Sequence, residues 1–255
     1  MDRSNGLEID TILLIEDEPT TGAWNMAVDD ALLETPLTPG TAVLRLYRWS
    51  PACLSLGYFQ SVQQRLSHLD SRELECVRRT SGGGAILHDQ ELTYSFIFSS
   101  DGLNATQIHA LYDVFHDSLI RVLREMGIQA TKCQNPTVIP AKEKPFLCFL
   151  RRSAGDVLLD DYKIVGSAQR RSREQVLQHG SILLQQSQWA SELPGIFELS
   201  QVDLTSLQWV GNWLDLLNQE FHCKLSSYSL SHGQLKSAHK TESKKFLNPD
   251  WTNKR

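Results

Sequence analysis

Three consecutive glycines, Gly82, Gly83 and Gly84, stand between a strand-like run, ECVRRT (75–80), and a cleanly alternating one, LTYSFIF (92–98). Glycine loses more backbone freedom on folding than any other residue, so a triplet is costly unless a bare main chain is needed there. One reading is a flexible turn or bulge between strands. The context favours another. Arg78 and Arg79 lead into the glycines, and missing Cβ atoms let a long, narrow ligand lie flat against the main chain. Peptide N–H groups are then free to bond a carbonyl or a phosphate. A phosphate loop is excluded, since neither G-x-x-x-x-G-K-[ST] nor G-x-G-x-x-G is matched here.

Around this loop the pattern alternates between helix and strand. Thr20 or Thr21 can cap a helix to about Glu34, with Trp24, Val28, Ala31 and Leu32 on one face. AVLRLYRW (42–49) and CLSLG (53–57) read as neighbouring strands. Ile108, Leu111, Phe115, Leu119, Val122 and Met126 keep helical spacing, and Gly127 stands at the C′ position. A polar loop with Pro136 and Pro140 leads to PFLCF (145–149). GDVLLD, KIVGSAQRR and VLQHGSILL then read as three short strands, and a helix is expected over about 204–222. No element is assigned to the N-terminal stretch, whose short apolar patch has acids on both sides. Strands outnumber helices and mostly follow one another in hairpins. This favours an α+β fold, a mixed sheet with helices on one face, over a doubly wound parallel sheet. One domain over residues 20–222 is expected, followed by a polar tail over 223–255 with room for one short helix or a mobile end.

Composition narrows the function classes. A net charge of -5 gives no footprint for nucleic acid. No apolar run approaches the ~20 residues that cross a bilayer, so no membrane role is expected. Neither a signal nor a transit peptide is visible, which points to the cytoplasm. Cysteines at 53, 76, 133, 148 and 223 are odd in number and form no C-x-x-C pair. A disulfide framework or a zinc site is therefore not expected, and neither a metal nor another cofactor is assigned. The plain reading of each cysteine is a small buried hydrophobe.

Five stretches, in order, resemble one family. RRTSGGGAILHD is similar to the signature R-R-x-x-G-G-G-x-V-x-H-D of the lipoate/biotin protein ligase and octanoyltransferase superfamily. DYKIVGSAQRR (161–171) and QVLQHGSILL (175–184) resemble that family's lysine segment and its H-G-(S/T) strand. WNMAVDDALLE (24–34) and LRLYRWSPACLSLGYFQ (44–60) extend the likeness over most of residues 20–185. The resemblance implies a class II aminoacyl-tRNA synthetase/biotin synthetase-like fold, a mixed sheet flanked by helices. It implies an acyl group in a tunnel beside the glycines, and puts Lys163 at the family's lysine position. It implies substrate-binding places for Arg78, Arg79, Gly82, Gly83, Gly84, His88, Gly166, Ser167, Ala168, His179 and Gly180.

Two chemistries share that fold: ATP-dependent ligation of a free acid, and transfer from an acyl thioester through an enzyme cysteine. Cys148 in PFLCF stands fifteen positions before Lys163. That resembles the LipM-type octanoyltransferases, as do HDQELTYS (88–95) and the ending FLNPDWTNKR. The resemblance then implies octanoyl acyl carrier protein as donor and the glycine cleavage H protein as the lipoyl-domain acceptor; a monomer is expected. A nearby ammonium stabilises a thiolate, so Lys163 is expected to activate Cys148 and to shuttle the proton of the incoming lysine. The oxyanion is expected at N–H groups of Gly82–Gly84 or Gly166–Ser167. His88 is either catalytic or bonded to backbone near the turn. His179 lines the pocket or is structural. Arg78 and Arg79 orient the loop or contact a phosphopantetheine phosphate. Arg151, Arg152, Arg170, Arg171 and Arg173 could form a basic rim for an acidic carrier. An ATP-dependent lipoate ligase and a non-catalytic acyl-carrier binding module remain the alternatives.

Overall fold

The computed structural model describes residues 8–136, 138–140 and 143–255. The strands are β1 (Thr11–Glu16), β2 (Thr41–Tyr47), β3 (Cys53–Leu56), β4 (Glu75–Arg78), β5 (Ile86–His88) and β6 (Glu91–Ser99). They continue as β7 (Thr131–Lys132), β8 (Val157–Leu159), β9 (Tyr162–Ser172), β10 (Gln175–Leu183) and β11 (Lys224–Ser227). The helices are α1 (Gly22–Glu34), α2 (Ala105–Glu125), α3 (Ile196–Ser200), α4 (Val210–Phe221), α5 (His232–Thr241) and α6 (Pro249–Thr252). Eight strands form the main sheet in the order β11-β1-β2-β6-β10-β9-β8-β7. It is mixed: β1 runs parallel to β2 and β11, while the other pairs are antiparallel. A small sheet, β4-β3-β5, carries the glycine loop between β4 and β5.

Alternation along β6 decides where the helices go. Tyr94, Phe96 and Phe98 face one core with Phe115 of α2 and Phe221 of α4. Ile97 faces the other way and packs with Val43 of β2 and Val28, Ala31 and Leu32 of α1. The sheet is therefore covered on both faces, where the sequence pattern suggested one. The reason is visible in the burial: Glu91–Phe98 is buried throughout, as is Ala42–Tyr47, and a strand hidden on both sides needs a layer on each. α2 begins with a capping box in which Asn104 and Gln107 bond each other's backbone N–H. It ends at Gly127, whose φ of +84° suits the C′ site.

Two segments without a clear apolar pattern are nonetheless built in. β1 sits inside the sheet, between β2 and β11. The stretch after residue 222, expected to be a polar tail, carries β11, α5, a π turn over Glu242–Phe246, and α6. α5 caps through Ser231 and Gln234 and lies against α1, with Ala238 buried there. Lys245 reaches Asp30 of α1 at 2.8 Å. Phe246 is buried beside Ala23 and Trp49. A few small or aromatic contacts and capped helix ends suffice, because α1 already offers the surface.

α6 locks onto the arginine that precedes the glycines. Arg78 is fully buried and donates from Nε and Nη2 to the Thr252 carbonyl at 3.0 and 2.7 Å. Its Nη1 donates to the carbonyls of Gly57 and Gln60 at 3.0 and 2.6 Å. Trp251 Nε1 donates back to the Arg78 carbonyl at 2.7 Å. Arg78→Met should therefore leave several buried carbonyls without a donor, at about 1–3 kcal/mol each before relaxation. Hydrogen exchange in residues 247–255 is expected to speed up first; unchanged exchange there would mean that Arg78 does not hold the segment.

Candidate active site

A narrow cavity opens between the small sheet and the main one. Met26, Tyr47, Trp49, Ile86 and Phe149 line it, with Gly82, Gly83 and Gly180 supplying bare backbone. A wider cleft adjoins it, walled by His109, Tyr112, Asp113 and His116 of α2 and by residues 153–156. Gly82, Gly83, Cys148, Lys163, Ser167 and Ala168 line both spaces. Cys148 and Lys163 thus stand where the narrow space meets the wider one.

The glycines explain how Cys148 gets there. It opens a 3-10 turn, Cys148–Leu150, and its N–H donates to the Ala85 carbonyl at 2.7 Å. Ala85 N–H donates to Phe146 at 3.1 Å, so the cysteine loop runs beside the end of the glycine loop like a strand. A Cβ on Gly84 would lie 3.1 Å from the Cys148 Cα, so tight that the cysteine loop would have to give way by a few tenths of an ångström. Gly83 has φ +97°, and its Cβ position is 3.8 Å from Cys148 Sγ. What lies against the bare backbone is thus, in part, the cysteine loop itself.

Lys163 is buried, with Nζ 2.9 Å from Asp156 Oδ2 and 5.3 Å from the Phe149 ring centre. Asp156 is held by the Ser153 N–H at 2.7 Å. Arg79 brings a second cation. It donates to the carbonyls of Ser55, Gly82 and Gly84 at 2.9, 2.8 and 2.6 Å, which fixes the glycine turn. Burial pushes Arg79 down to about 10, against the pull of a negative charge on Cys148. Sequence reasoning assigned the task of balancing that charge to Lys163 alone; the fold puts Arg79 within electrostatic range of Cys148.

The other expected residues divide. His88 lines the cavity but bonds side chains rather than backbone: Ser55 Oγ and Glu91 Oε1, both at 2.8 Å. Its ring stacks on Trp49 with centres 3.7 Å apart. His179 lies 2.5 Å from Ser81 Oγ, and burial, with Arg79 nearby, pushes it down to about 3, so it is neutral. Gly166, Ser167, Ala168 and Gly180 all line the cavity. Arg78 does not; its guanidinium is spent on backbone. Of the suggested rim, Arg151 turns inward to the Pro145 carbonyl at 2.8 Å, and Arg152 pairs with Asp161 at 3.3 Å.

The catalytic-domain model for lipoyl protein ligases A and B matches residues 21–203. The chain belongs to that family. The octanoyltransferase LipM of Clostridioides difficile (strain 630) is 36% identical over 176 residues, 67% of this chain and 65% of that protein. This chain thus spans a little under two thirds of that relative. The octanoyltransferase LipM of Bacillus subtilis (strain 168) is 30% identical across 98% of this chain and 100% of its own length. The bipartite lipoate protein ligase of Thermoplasma acidophilum shares the fold, with a TM-score of 0.73 at 18% identity, covering 97% of this chain and 96% of that one.

Two residues of this lipoyl ligase family member escaped the sequence reading. Asp156 enters the β8–β9 hairpin that carries Lys163, and a carboxylate before a strand that leads to the family lysine was the available signal. His116 sits beside the apolar stripe of α2, where nothing in the spacing marks it. One consequence of the packing is testable. A Cβ on Gly180 would lie 2.5 Å from both Ser167 Oγ and the Tyr94 ring. Gly180→Ala is expected to lower stability by about 1–3 kcal/mol through overpacking. Urea unfolding checks it, and an unchanged midpoint would show that the site relaxes freely.

Proposed function

We propose that this family member is an octanoyltransferase that works through a thioester on Cys148. The observation that carries the reading is the position of Cys148 and Lys163 at the junction of a narrow, largely apolar cavity and a wider cleft. The narrow, apolar side suits a medium-chain acyl group, whose apolar burial favours binding. The wider side admits the thiol arm of a carrier and, later, a lysine side chain. Cys148 Sγ attacks the octanoyl thioester carbonyl; the carrier sulfur leaves with the electron pair and takes a proton. The amine of the acceptor lysine then attacks the Cys148 thioester, forming an amide and freeing the thiol. A thioester is already activated, so no ATP enters.

Each group has a role in this scheme. Arg79 and Lys163 offset the charge of the Cys148 thiolate. The N–H groups of the 82–84 loop are the better oxyanion donors, since Gly166 and Ser167 are paired in the sheet with Ser181 and Gly180. The donor in this reading is octanoyl acyl carrier protein, and the acceptor is a lipoyl domain such as the glycine cleavage H protein, with the enzyme acting as a monomer. Intact mass after incubation with octanoyl acyl carrier protein, without ATP, tests it. One octanoyl group, released by hydroxylamine, is the expected gain. No gain, with ATP-dependent labelling of a lipoyl domain by the free acid, would make the protein a ligase instead.

A further inference from the structure

His116 has no part in the scheme above, yet it is buried and bonded at both ring nitrogens. Nδ1 lies 2.6 Å from the Gly155 carbonyl oxygen, and Nε2 lies 2.6 Å from Ser167 Oγ. A carbonyl oxygen only accepts, so Nδ1 carries the proton. Burial pushes the His116 pKa down, which keeps the ring neutral. Nε2 is then a bare lone pair, and Ser167 must donate to it. That orients the neighbours. The Tyr94 hydroxyl, 2.7 Å from Ser167 Oγ, donates to Ser167. Gln178 Nε2 donates to the Tyr94 oxygen at 3.1 Å, and Gln169 Nε2 donates to Gln178 Oε1 at 2.9 Å. All these hydrogen bonds run one way, from Gln169 to the Gly155 carbonyl.

Among these hydrogen-bonded residues, Ser167 alone lines both the narrow cavity and the cleft. It therefore connects the junction where Cys148 stands to a neutral nitrogen base. Lys163 is less suited to receive a proton, because an ammonium paired with Asp156 has no free lone pair. The charges that face His116 are mixed. Asp156 and Asp113 favour a protonated ring, and Lys163 opposes it.

We propose that Ser167 and His116 take the proton from the attacking amine during release of the acyl group from Cys148; this rests on the acyl-transfer reading above. The amine nitrogen bonds the thioester carbonyl carbon. Its extra proton moves to Ser167 Oγ as the Ser167 proton moves to His116 Nε2. The carbon–sulfur bond breaks, the electron pair leaves with Sγ, and the product is an amide. The imidazolium then returns a proton through Ser167 to the thiolate, and both groups are restored. Ser167 touches the substrate; His116 acts through it.

The test separates the two half-reactions in the full chain. Cys148 is first loaded from octanoyl acyl carrier protein, and the loaded enzyme is then mixed with a lipoyl domain. Glutamine at 116 can keep an N–H for Gly155 and an oxygen for Ser167, but it is no base near neutral pH. H116Q is expected to load within about twofold of the wild-type rate and to transfer about 10²–10⁴-fold more slowly, the usual contribution of a general base. Ser167→Ala should likewise slow transfer. An H116Q enzyme that transfers at the wild-type rate overturns the proposal, because a purely structural histidine would give that result. Loading and transfer falling by the same factor overturns it too, since the whole site is then disturbed. A wild-type enzyme that never acquires an octanoyl group on Cys148 sinks the acyl-transfer reading itself, and this proposal with it.

Discussion

Cys148→Ala is expected to take up no octanoyl group and to lose acyl transfer by at least about 10³-fold, the scale seen when a covalent nucleophile is removed. The variant should fold. Cys148 is half-exposed, and its structural duty is borne by backbone: the N–H to Ala85 and the carbonyl that accepts from Arg151 N–H at 3.0 Å. Alanine keeps both bonds. The loss would therefore report the missing sulfur rather than a displaced loop. Mass spectrometry of the variant after exposure to octanoyl acyl carrier protein, beside turnover on a lipoyl domain, gives both readouts. Near-normal turnover would mean that the thiol is a bystander, and an adenylate route would then need to be sought.

Asp29→Ala is expected to be the most damaging change to stability, at about 3–5 kcal/mol, because it takes from a buried charge its one fully buried carboxylate partner. Arg45 is completely buried and donates to Asp29 at 2.9 Å. Tyr47 and Ser95 donate to the same carboxylate at 2.8 Å each. Burial raises the Asp29 carboxyl and Arg45 opposes that rise. Without Asp29, Arg45 retains Asp17 at 2.6 Å on the more exposed side. Equilibrium denaturation in urea measures the loss. A drop below about 1 kcal/mol would show that Asp17 alone compensates the guanidinium, within the range of a surface pair. The effect should also reach the cavity, since Tyr47 lines it and Asp29 stands 3.9 Å from His179 Nδ1.

What could be read from the sequence was whatever has a short period or a fixed motif. The β6 alternation, the α2 stripe with Gly127, and the glycine triplet all describe themselves within about twenty residues. β1 did not, since TILLIE between acids looks like a solvated patch until β2 and β11 flank it. The second helical face followed from burial on both sides of β6, which a run of aromatics and aliphatics leaves ambiguous. The partner of Ser167 was hidden for a different reason. His116 meets Gly155 across 39 positions and Ser167 across 51, and no local pattern encodes such a meeting. The triplet itself was read as a ligand platform, whereas at Gly84 the close neighbour is the protein's own cysteine loop.

The bond between Arg78 and Thr252 spans 174 positions and sets an order of events during synthesis. A nascent chain that has reached residue 203 contains every segment matched to the family, and its Arg78 has no Thr252 to hold. The carbonyls of Gly57 and Gln60 can be gathered early, yet the far side of the guanidinium stays open until α6 has left the ribosome. Contacts of such long range form slowly because loop closure comes before their reward. Arg78 is therefore fully paired only late, and a chain cut short after the last recognisable motif would display the family signature without the helix that completes the Arg78 network.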